Sequence, residues 1–115
     1  MILGRFELDL EVKDLDRSLD FYQRLRFEIV GGDKARGWVM LKHCNLILGL
    51  FCGHLPGNVL NFRGGDVFTL ADELKKQGIT FSDEARVEAD GSAGAWITDP
   101  DGNLIYLNSF PGEEP

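Results

Sequence analysis

The sequence is short of several residue types, and each shortage narrows the class of protein. Two cysteines in 115 residues are too few for a disulfide framework and indicate a reducing compartment. Lys and Arg number 12 against 19 Asp and Glu, giving a formal net charge of −7, so neither nucleic acid nor an anionic membrane is an expected partner. The most apolar run, LILGLF, is far too short to span a bilayer, and no signal-peptide pattern opens the chain. We therefore expect a soluble, cytoplasmic protein.

An internal repeat organises the chain. The segments GWVMLKHCNLILGL (37–50) and AWITDPDGNLIYLN (95–108) lie 58 positions apart and share a Trp and an Asn-Leu-Ile core. Asp14 and Asp66, 52 positions apart, each precede an amphipathic helical pattern, and Gly78 is the expected stop of the second helix.

Strand patterns surround both predicted helices in the same order. FELDLEV and NVLNF come before the helices, while FEIV, GWVML and NLILGLF follow the first and ITF, AWIT and NLIYLN follow the second. The sequence therefore predicts one domain, 1–115, made of two βαβββ modules, 1–54 and 55–115.

Two of these motifs carry a family resemblance over nearly the whole chain. VKDLDRSLDFYQRLRFEIVGG, followed at the far end by TDPDGNLIYLN, resembles the vicinal oxygen chelate superfamily of glyoxalase I, bleomycin resistance proteins, extradiol dioxygenases and fosfomycin-modifying enzymes. The resemblance implies an α+β fold of the glyoxalase/bleomycin-resistance type, in which tandem βαβββ modules form a U-shaped mixed sheet around a cavity, usually in a homodimer. Because such a fold hosts unrelated chemistries, function has to be argued from the site.

Side-chain alternation along the strands predicts which residues line that cavity. In the first strand Phe6, Leu8, Leu10 and Val12 should face the helix, and the alternate residues should face the cavity. In the closing strands Ile47 and Ile105 should face the helix, with Leu46, Leu48 and Leu50 on the cavity side. With the two tryptophans added, the predicted ligand-binding set is Glu7, Asp9, Trp38, Leu46, Leu48, Val59, Asn61, Arg63, Trp96, Leu104, Tyr106 and Asn108.

The resemblance also implies where metal-dependent relatives hold their ion. The matching positions are Glu7, Leu48, Val59 and Tyr106, of which Glu7 alone is an ordinary ligand. A phenol with a pKa near 10 is a poor ligand at neutral pH. We therefore expect no metal cofactor, with a divalent ion held through Glu7 as the less favoured alternative.

Other chemical motifs are weaker. His43, Cys44, Cys52 and His54 have metal-compatible side chains, but the two cysteines flank a predicted strand and would lie about 25 Å apart at about 3.3 Å per residue. We favour small hydrophobic roles for the cysteines and turn positions for the histidines. GGD, at 31–33 and 64–66, lacks the spacing of a phosphate loop and predicts a turn or bulge.

Three functions are compatible with these residues. The preferred one is a metal-independent homodimer that binds a small molecule, such as a cationic drug or metabolite. The resemblance to bleomycin resistance proteins implies this function, and with it a role in antibiotic resistance. The second is a lyase or dioxygenase-type enzyme with an altered site, in which Glu7 is the base and Tyr106 the proton donor. The third is a structural or partner-binding dimer. Trp38 and Trp96 are either packing residues, which we favour, or walls for a flat ligand.

Overall fold

The computed structural model describes all residues, 1–115, and contains eight strands and two helices. The element order is β-α-β-β-β, twice, with a short 3₁₀ turn at Lys34–Arg36. This confirms the α+β class and the predicted order of elements. The elements are β1 (Gly4–Glu11), α1 (Leu15–Arg24), β2 (Glu28–Asp33), β3 (Trp38–His43), β4 (Leu46–Phe51), β5 (Val59–Gly64), α2 (Val67–Lys76), β6 (Asp83–Val87), β7 (Ala93–Thr98) and β8 (Leu104–Ser109).

By internal contacts the chain divides into two compact units. The N-terminal unit is Glu7–Val59, and the C-terminal unit combines Met1–Phe6 with Leu60–Pro115. Strand order in the N-terminal unit is β2-β3-β4-β1, with β1 and β4 parallel and the other pairs antiparallel. In the C-terminal unit the order is β5-β8-β7-β6, with antiparallel pairing of β7 to both neighbours. The strand pairing is therefore mixed.

Both helices begin at the predicted aspartates. The backbone N–H of Arg17 donates to Asp14 Oδ1 at 3.1 Å, and that of Thr69 donates to Asp66 Oδ1 at 3.2 Å. Each carboxylate satisfies an amide that the first helical turn leaves without a partner. Past the end of α2, Gly78 has a φ of +86°, the left-handed conformation expected of a C-terminal stop. Neither helix is long and apolar enough to cross a membrane.

The core of the N-terminal unit corrects one predicted strand face. Leu19 of α1 packs in a cluster with Leu48 and Leu50 of β4, and Leu46 lies against this cluster. Leu8 and Leu10 of β1 pair in register with Leu48 and Leu50, so all these side chains share the helix side of the sheet. The prediction that Leu46, Leu48 and Leu50 face the cavity, with Ile47 on the helix side, is wrong.

The cause of this error is the length of the turn between β3 and β4. Residues 44 and 45 alone connect the paired residues His43 and Leu46, whereas residues 99–103 connect Thr98 and Leu104 in the C-terminal unit. The first loop has an even number of residues and the second an odd number. As a result, the residues of the second strand that share a face with the Trp are odd-numbered in one hairpin and even-numbered in the other. Residues of β4 and β8 that are 58 positions apart therefore do not lie on equivalent faces of the sheet.

The core of the C-terminal unit agrees with the predicted faces. Val67, Leu70 and Ala71 of α2 pack against Ala95, Ile97 and Leu107, and Ile105 lies against the same cluster. Ala95 pairs with Leu107 across the β7–β8 ladder, and both side chains are fully buried. The helix side of β8 is therefore the odd-numbered one, as predicted.

One predicted strand is displaced along the chain. ITF (79–81) is not a strand, and the second strand of the C-terminal unit along the chain is β6, whose residues are mostly exposed. Phe81 is instead buried in the core from the segment before β6. Because β6 is an edge strand with polar residues on both faces, it lacks the apolar pattern by which strands are recognised.

The first GGD motif lies at a β-bulge, and the second lies where the chain bends at the end of β5. In β2 the pairing register shifts between Ile29 and Gly31, as in a β-bulge. At the end of β5, Gly64 has a φ of +96°, and a Cβ on it would lie 2.7 Å from the backbone carbon of Glu114. Gly64 thus allows close approach of the C-terminal segment, and the predicted turn or bulge is confirmed at the first motif.

Candidate binding site in the C-terminal unit

A pair of stacked aromatic side chains stands on the sheet face opposite α2. Trp96 of β7 and Tyr106 of β8 are directly paired in the ladder, and their ring centroids lie 4.2 Å apart with 25° between the planes. Their neighbours in sequence, Ala95 and Leu107, point into the core on the helix side. Alternation puts Leu104 and Asn108 on the same face as Tyr106, as the sequence predicts.

Gly94 makes room for the phenol of Tyr106. A Cβ on Gly94 would lie 2.8 Å from Cζ of Tyr106 and still closer to its hydroxyl oxygen. Gly94 pairs with Asn108, the next residue along that face of β8, so the Tyr106 ring leans along the sheet over the glycine backbone. Any larger residue at position 94 would therefore displace the Tyr106 ring from this position.

These two rings form one wall of a pocket of about 420 Å³. Its remaining lining comes from the end of β6 and the turn to β7, namely Arg86, Glu88, Ala89, Asp90 and Ser92. The volume is within the range of small-molecule sites. None of these five residues was identified from the sequence.

The polar rim of the pocket is held by internal hydrogen bonds and carries a net negative charge. Arg86 Nε donates to Glu88 Oε1 at 2.9 Å, so these two charges offset each other. Asp90 Oδ1 accepts hydrogen bonds from the backbone N–H and the hydroxyl of Ser92, at 3.0 and 2.6 Å, and these bonds lower the pKa of Asp90. Asp90 is therefore ionised at neutral pH and is the lining carboxylate without a cationic partner.

Tyr106 is a neutral phenol in this setting. Burial raises its pKa above the ordinary value of 10.0, and the negative charges of Glu88 and Asp90 raise it further against an opposing effect of Arg86. The phenol therefore keeps its proton at neutral pH. It can donate a hydrogen bond to a ligand, and it is a poor candidate for a tyrosinate metal ligand.

Three further predicted residues of this unit have different surroundings. Arg63 donates from Nε to Glu113 Oε2 at 2.8 Å and lies over the ring of Phe110, 5.3 Å from its centroid, so its charge is used to hold the C-terminal segment. Asn108 has a buried Oδ1 without a hydrogen-bond donor in the protein. Leaving such an acceptor unsatisfied costs about 1–3 kcal/mol, which a ligand donor or a water would relieve. Asn61 is 5% exposed.

The N-terminal unit carries a second aromatic pair on the face away from α1. Trp38 of β3 pairs in register with Phe51 of β4, and their nearly parallel rings, 7° apart, have centroids at 6.1 Å. Phe51 is thus the counterpart of Tyr106, in place of the Leu48 that the repeat offset suggested. Loop length was the sequence signal that could have identified it.

Acidic residues share this face of the N-terminal unit. Asp9 of β1 is 4% exposed and lies opposite Gly49, where a Cβ would lie 2.6 Å from the Phe51 ring and contact the Asp9 carboxylate. Glu7 is partly buried on the same strand face, and Val59 is 2% exposed. The pairing of Glu7 with Tyr106 as a base and proton donor stays a prediction.

The residues at the positions where the sequence resemblance implies a metal site do not form a ligand set of the usual kind. Leu48 is apolar and lies in the core, Val59 is apolar, and the Tyr106 phenol is protonated, which leaves Glu7. No three His, Cys, Asp or Glu side chains of the described residues are grouped as metal ligands. His43 and His54 instead contact the backbone carbonyls of Arg26 and Arg36, at 3.2 and 2.6 Å.

Known structures share the arrangement of elements described above. The chain aligns with a glyoxalase/bleomycin resistance protein/dioxygenase superfamily member from Vibrio splendidus at a TM-score of 0.68 and 18% identity, covering 91% of this chain and 97% of that one. The chain has the glyoxalase/bleomycin-resistance fold. Methylmalonyl-CoA epimerase of Streptomyces coelicolor aligns at a TM-score of 0.67 and 20% identity, over 97% and 98% of the two chains.

Proteins of this fold carry unlike names. A Legionella pneumophila protein named NAD-dependent benzaldehyde dehydrogenase aligns at a TM-score of 0.70 and 19% identity, over 91% of this chain and 98% of its own. No protein-family model and no curated protein matches the sequence. At these identities the likeness establishes the fold, and the function has to come from the site.

Proposed function

We propose that the protein binds a flat, positively charged small molecule without a metal ion, and that the ligand lies against Trp96 and Tyr106 in the pocket of the C-terminal unit. The observation that carries this proposal is the stacked ring pair at a rim whose charges are Glu88, Asp90 and Arg86. Aromatic faces attract planar ligands and cations, with about 0.5–2 kcal/mol for each cation–π contact.

The charge of the rim supports a cationic ligand over an anionic one. Two carboxylates and one guanidinium line the pocket, and the guanidinium is already bound to Glu88. The negative charge of Asp90 remains available to a ligand, and the overall charge of −7 repels anions in the same way. The protonated Tyr106 hydroxyl adds a donor for a ligand oxygen or nitrogen.

We further propose that the protein works in the cytoplasm as a homodimer. In the N-terminal unit, exposed apolar side chains lie on α1, at its C-terminal cap and on the edge strand β2, at Phe21, Leu25, Ile29 and Val30. An exposed edge with apolar residues favours association with another chain. Sedimentation equilibrium at several concentrations tests this, and a monomer at all of them would contradict it.

The ligand proposal is tested with a pair of tricyclic compounds of the same shape. At pH 8 proflavine is a cation and acridine is neutral, so calorimetric titration of both separates the charge from the stacking. We expect proflavine to bind more tightly, and Asp90→Asn to weaken it about three- to tenfold while leaving acridine unchanged. Asp101→Asn, an exposed aspartate outside the pocket, is the matched control and should change neither.

The aromatic wall is tested by removing each tryptophan in turn. Trp96→Val keeps a strand-forming residue but removes the stacking surface, so both compounds should bind at least tenfold more weakly. Trp38→Val removes the corresponding ring of the N-terminal unit and should leave binding within twofold. Equal binding by wild type and Trp96→Val, or a loss confined to Trp38→Val, would refute the proposed site.

A further inference from the structure

The C-terminal unit has a larger cavity on the opposite side of its sheet. This cavity has a volume of about 650 Å³ and lies between the first turn of α2, the C-terminal segment and the ends of β7 and β8. Its β7 lining residue, Ala93, packs against the helix-side core, whereas Gly94 and Trp96 belong to the other face. The sheet therefore separates it from the pocket at Trp96 and Tyr106.

The surface of this cavity is mainly apolar and unusually exposed. Phe68 of α2, Val87 of β6 and Ile2 are 46%, 65% and 68% exposed, and all three line it. Large apolar side chains gathered around one concavity, in place of being scattered singly, indicate a binding surface. Phe110 and Pro111 add apolar lining from the C-terminal segment.

The polar side chains of the lining are already occupied by partners within the protein. Asp66 accepts hydrogen bonds from the backbone N–H and the hydroxyl of Thr69, at 3.2 and 2.9 Å. Glu113 accepts from Arg63, Arg5 and the backbone N–H of Phe110. The Ser109 hydroxyl donates to the Phe110 carbonyl oxygen at 3.2 Å.

These contacts determine the charge that the cavity presents. The carboxylate of Glu113 is neutralised by two arginines, so it gives a cation little net attraction. The carboxylate of Asp66 is the N-cap of α2, so its charge and the positive end of the helix dipole offset each other, and neither an anion nor a cation is strongly attracted there. An uncharged molecule that presents mainly apolar surface gains most here, since it desolvates no charge of its own.

We propose that this cavity is a second binding site, for an uncharged and mainly apolar small molecule such as an aryl or aliphatic compound. The site is independent of the ligand proposed for Trp96 and Tyr106. It takes its affinity from contact with Phe68, Val87 and Ile2 on the side of the sheet that carries α2.

The test uses the neutral dye N-phenyl-1-naphthylamine, whose fluorescence rises when it leaves water. Titration into the wild type should saturate at one dye per chain, and Phe68→Ser combined with Val87→Thr should weaken binding at least tenfold. Both positions are exposed, and the new residues suit a first helical turn and a strand, so we expect the double variant to fold, as far-UV circular dichroism will check.

A matched control separates the cavity from general surface hydrophobicity. Phe21→Ser with Ile29→Thr removes an exposed helical Phe and an exposed strand residue of the N-terminal unit, 56% and 52% exposed. This variant should bind the dye as the wild type does, as should Trp96→Val, and proflavine should not displace the dye. The proposal would be overturned by an absence of saturable binding or by an equal loss of binding in the control variant. It would also be overturned if binding appeared only when the chain dimerises through the face that carries the cavity.

Discussion

Gly94 and Tyr106 make a prediction about steric fit at the candidate site. Replacing Gly94 by Ala places a methyl group where the Tyr106 phenol lies, 2.8 Å from Cζ and closer to the hydroxyl. The backbone of Gly94 is not in the left-handed region, so Ala is compatible with its conformation. The steric conflict with the ring is therefore the main cost of the substitution.

The size of the effect follows from two opposing contributions. Forcing an extra carbon into a packed position costs about 1–3 kcal/mol, while Ala in place of Gly within a strand gains about 0.5–1 kcal/mol. Gly94→Ala should therefore lower the free energy of unfolding by about 0–2.5 kcal/mol. In a Tyr106→Val background the ring is gone, and the same substitution should be neutral or stabilising.

Urea unfolding followed by far-UV circular dichroism measures all four members of this cycle. Gly31→Ala is the control, because a Cβ there would have 3.9 Å to its nearest neighbour in Met40, and its effect should not depend on Tyr106. Stabilisation by Gly94→Ala in the wild type, or an equal cost in both backgrounds, would show that the glycine does not accommodate the ring.

Three further predictions concern stability. Leu107→Ala, at a fully buried position, should lower the free energy of unfolding by about 2–5 kcal/mol in urea titration, and a loss below 1 kcal/mol would contradict the packing described. Asp14→Ala should cost about 1 kcal/mol, with Asp16→Ala, an exposed neighbour, as its control in the same assay. Hydrogen bonds from the backbone amides of Leu55, Gly53 and His54 lower the pKa of Glu11. The contribution of the ionised Glu11 to the free energy of unfolding is therefore complete above the ordinary pKa of 4.5, and it is lost as the pH falls through the lower pKa of the folded state. Thermal unfolding between pH 7 and 3 should therefore show a smaller acid-induced loss in Glu11→Gln, and curves parallel to those of the wild type would refute this.

Much of the fold could be predicted because local physical chemistry determines it. Asp14 and Asp66 begin the helices because a short carboxylate can accept an N–H of the first turn, and this requirement is visible in a single residue. The apolar faces of α1 and α2 follow from helical periodicity. The alternation in β8 correctly placed Tyr106 on the sheet face opposite to that of the core residue Leu107.

Register between strands was harder to predict, because it depends on the loop that joins them. The repeat offset equated Tyr106 with Leu48, yet the pairing within each hairpin makes Phe51 the residue that faces Trp38. A change in loop parity reverses the face of every residue that follows it in the strand. Counting from the paired ends His43 and Leu46 would have corrected the assignment.

The polar rim of the candidate site escaped sequence reasoning for a different reason, although Trp96 and Tyr106 were in the predicted ligand-binding set. Glu88, Asp90 and Ser92 lie between an exposed edge strand and the strand that carries Trp96, where no periodicity applies. Each unit presents a Trp stacked on a cross-strand aromatic ring, but the acidic turn beside Trp96 gives that pair a charged rim of its own. A stacking surface alone accepts any planar molecule. We therefore expect the choice of ligand charge to depend on that turn, and on Asp90 above all, because Glu88 is already bound to Arg86.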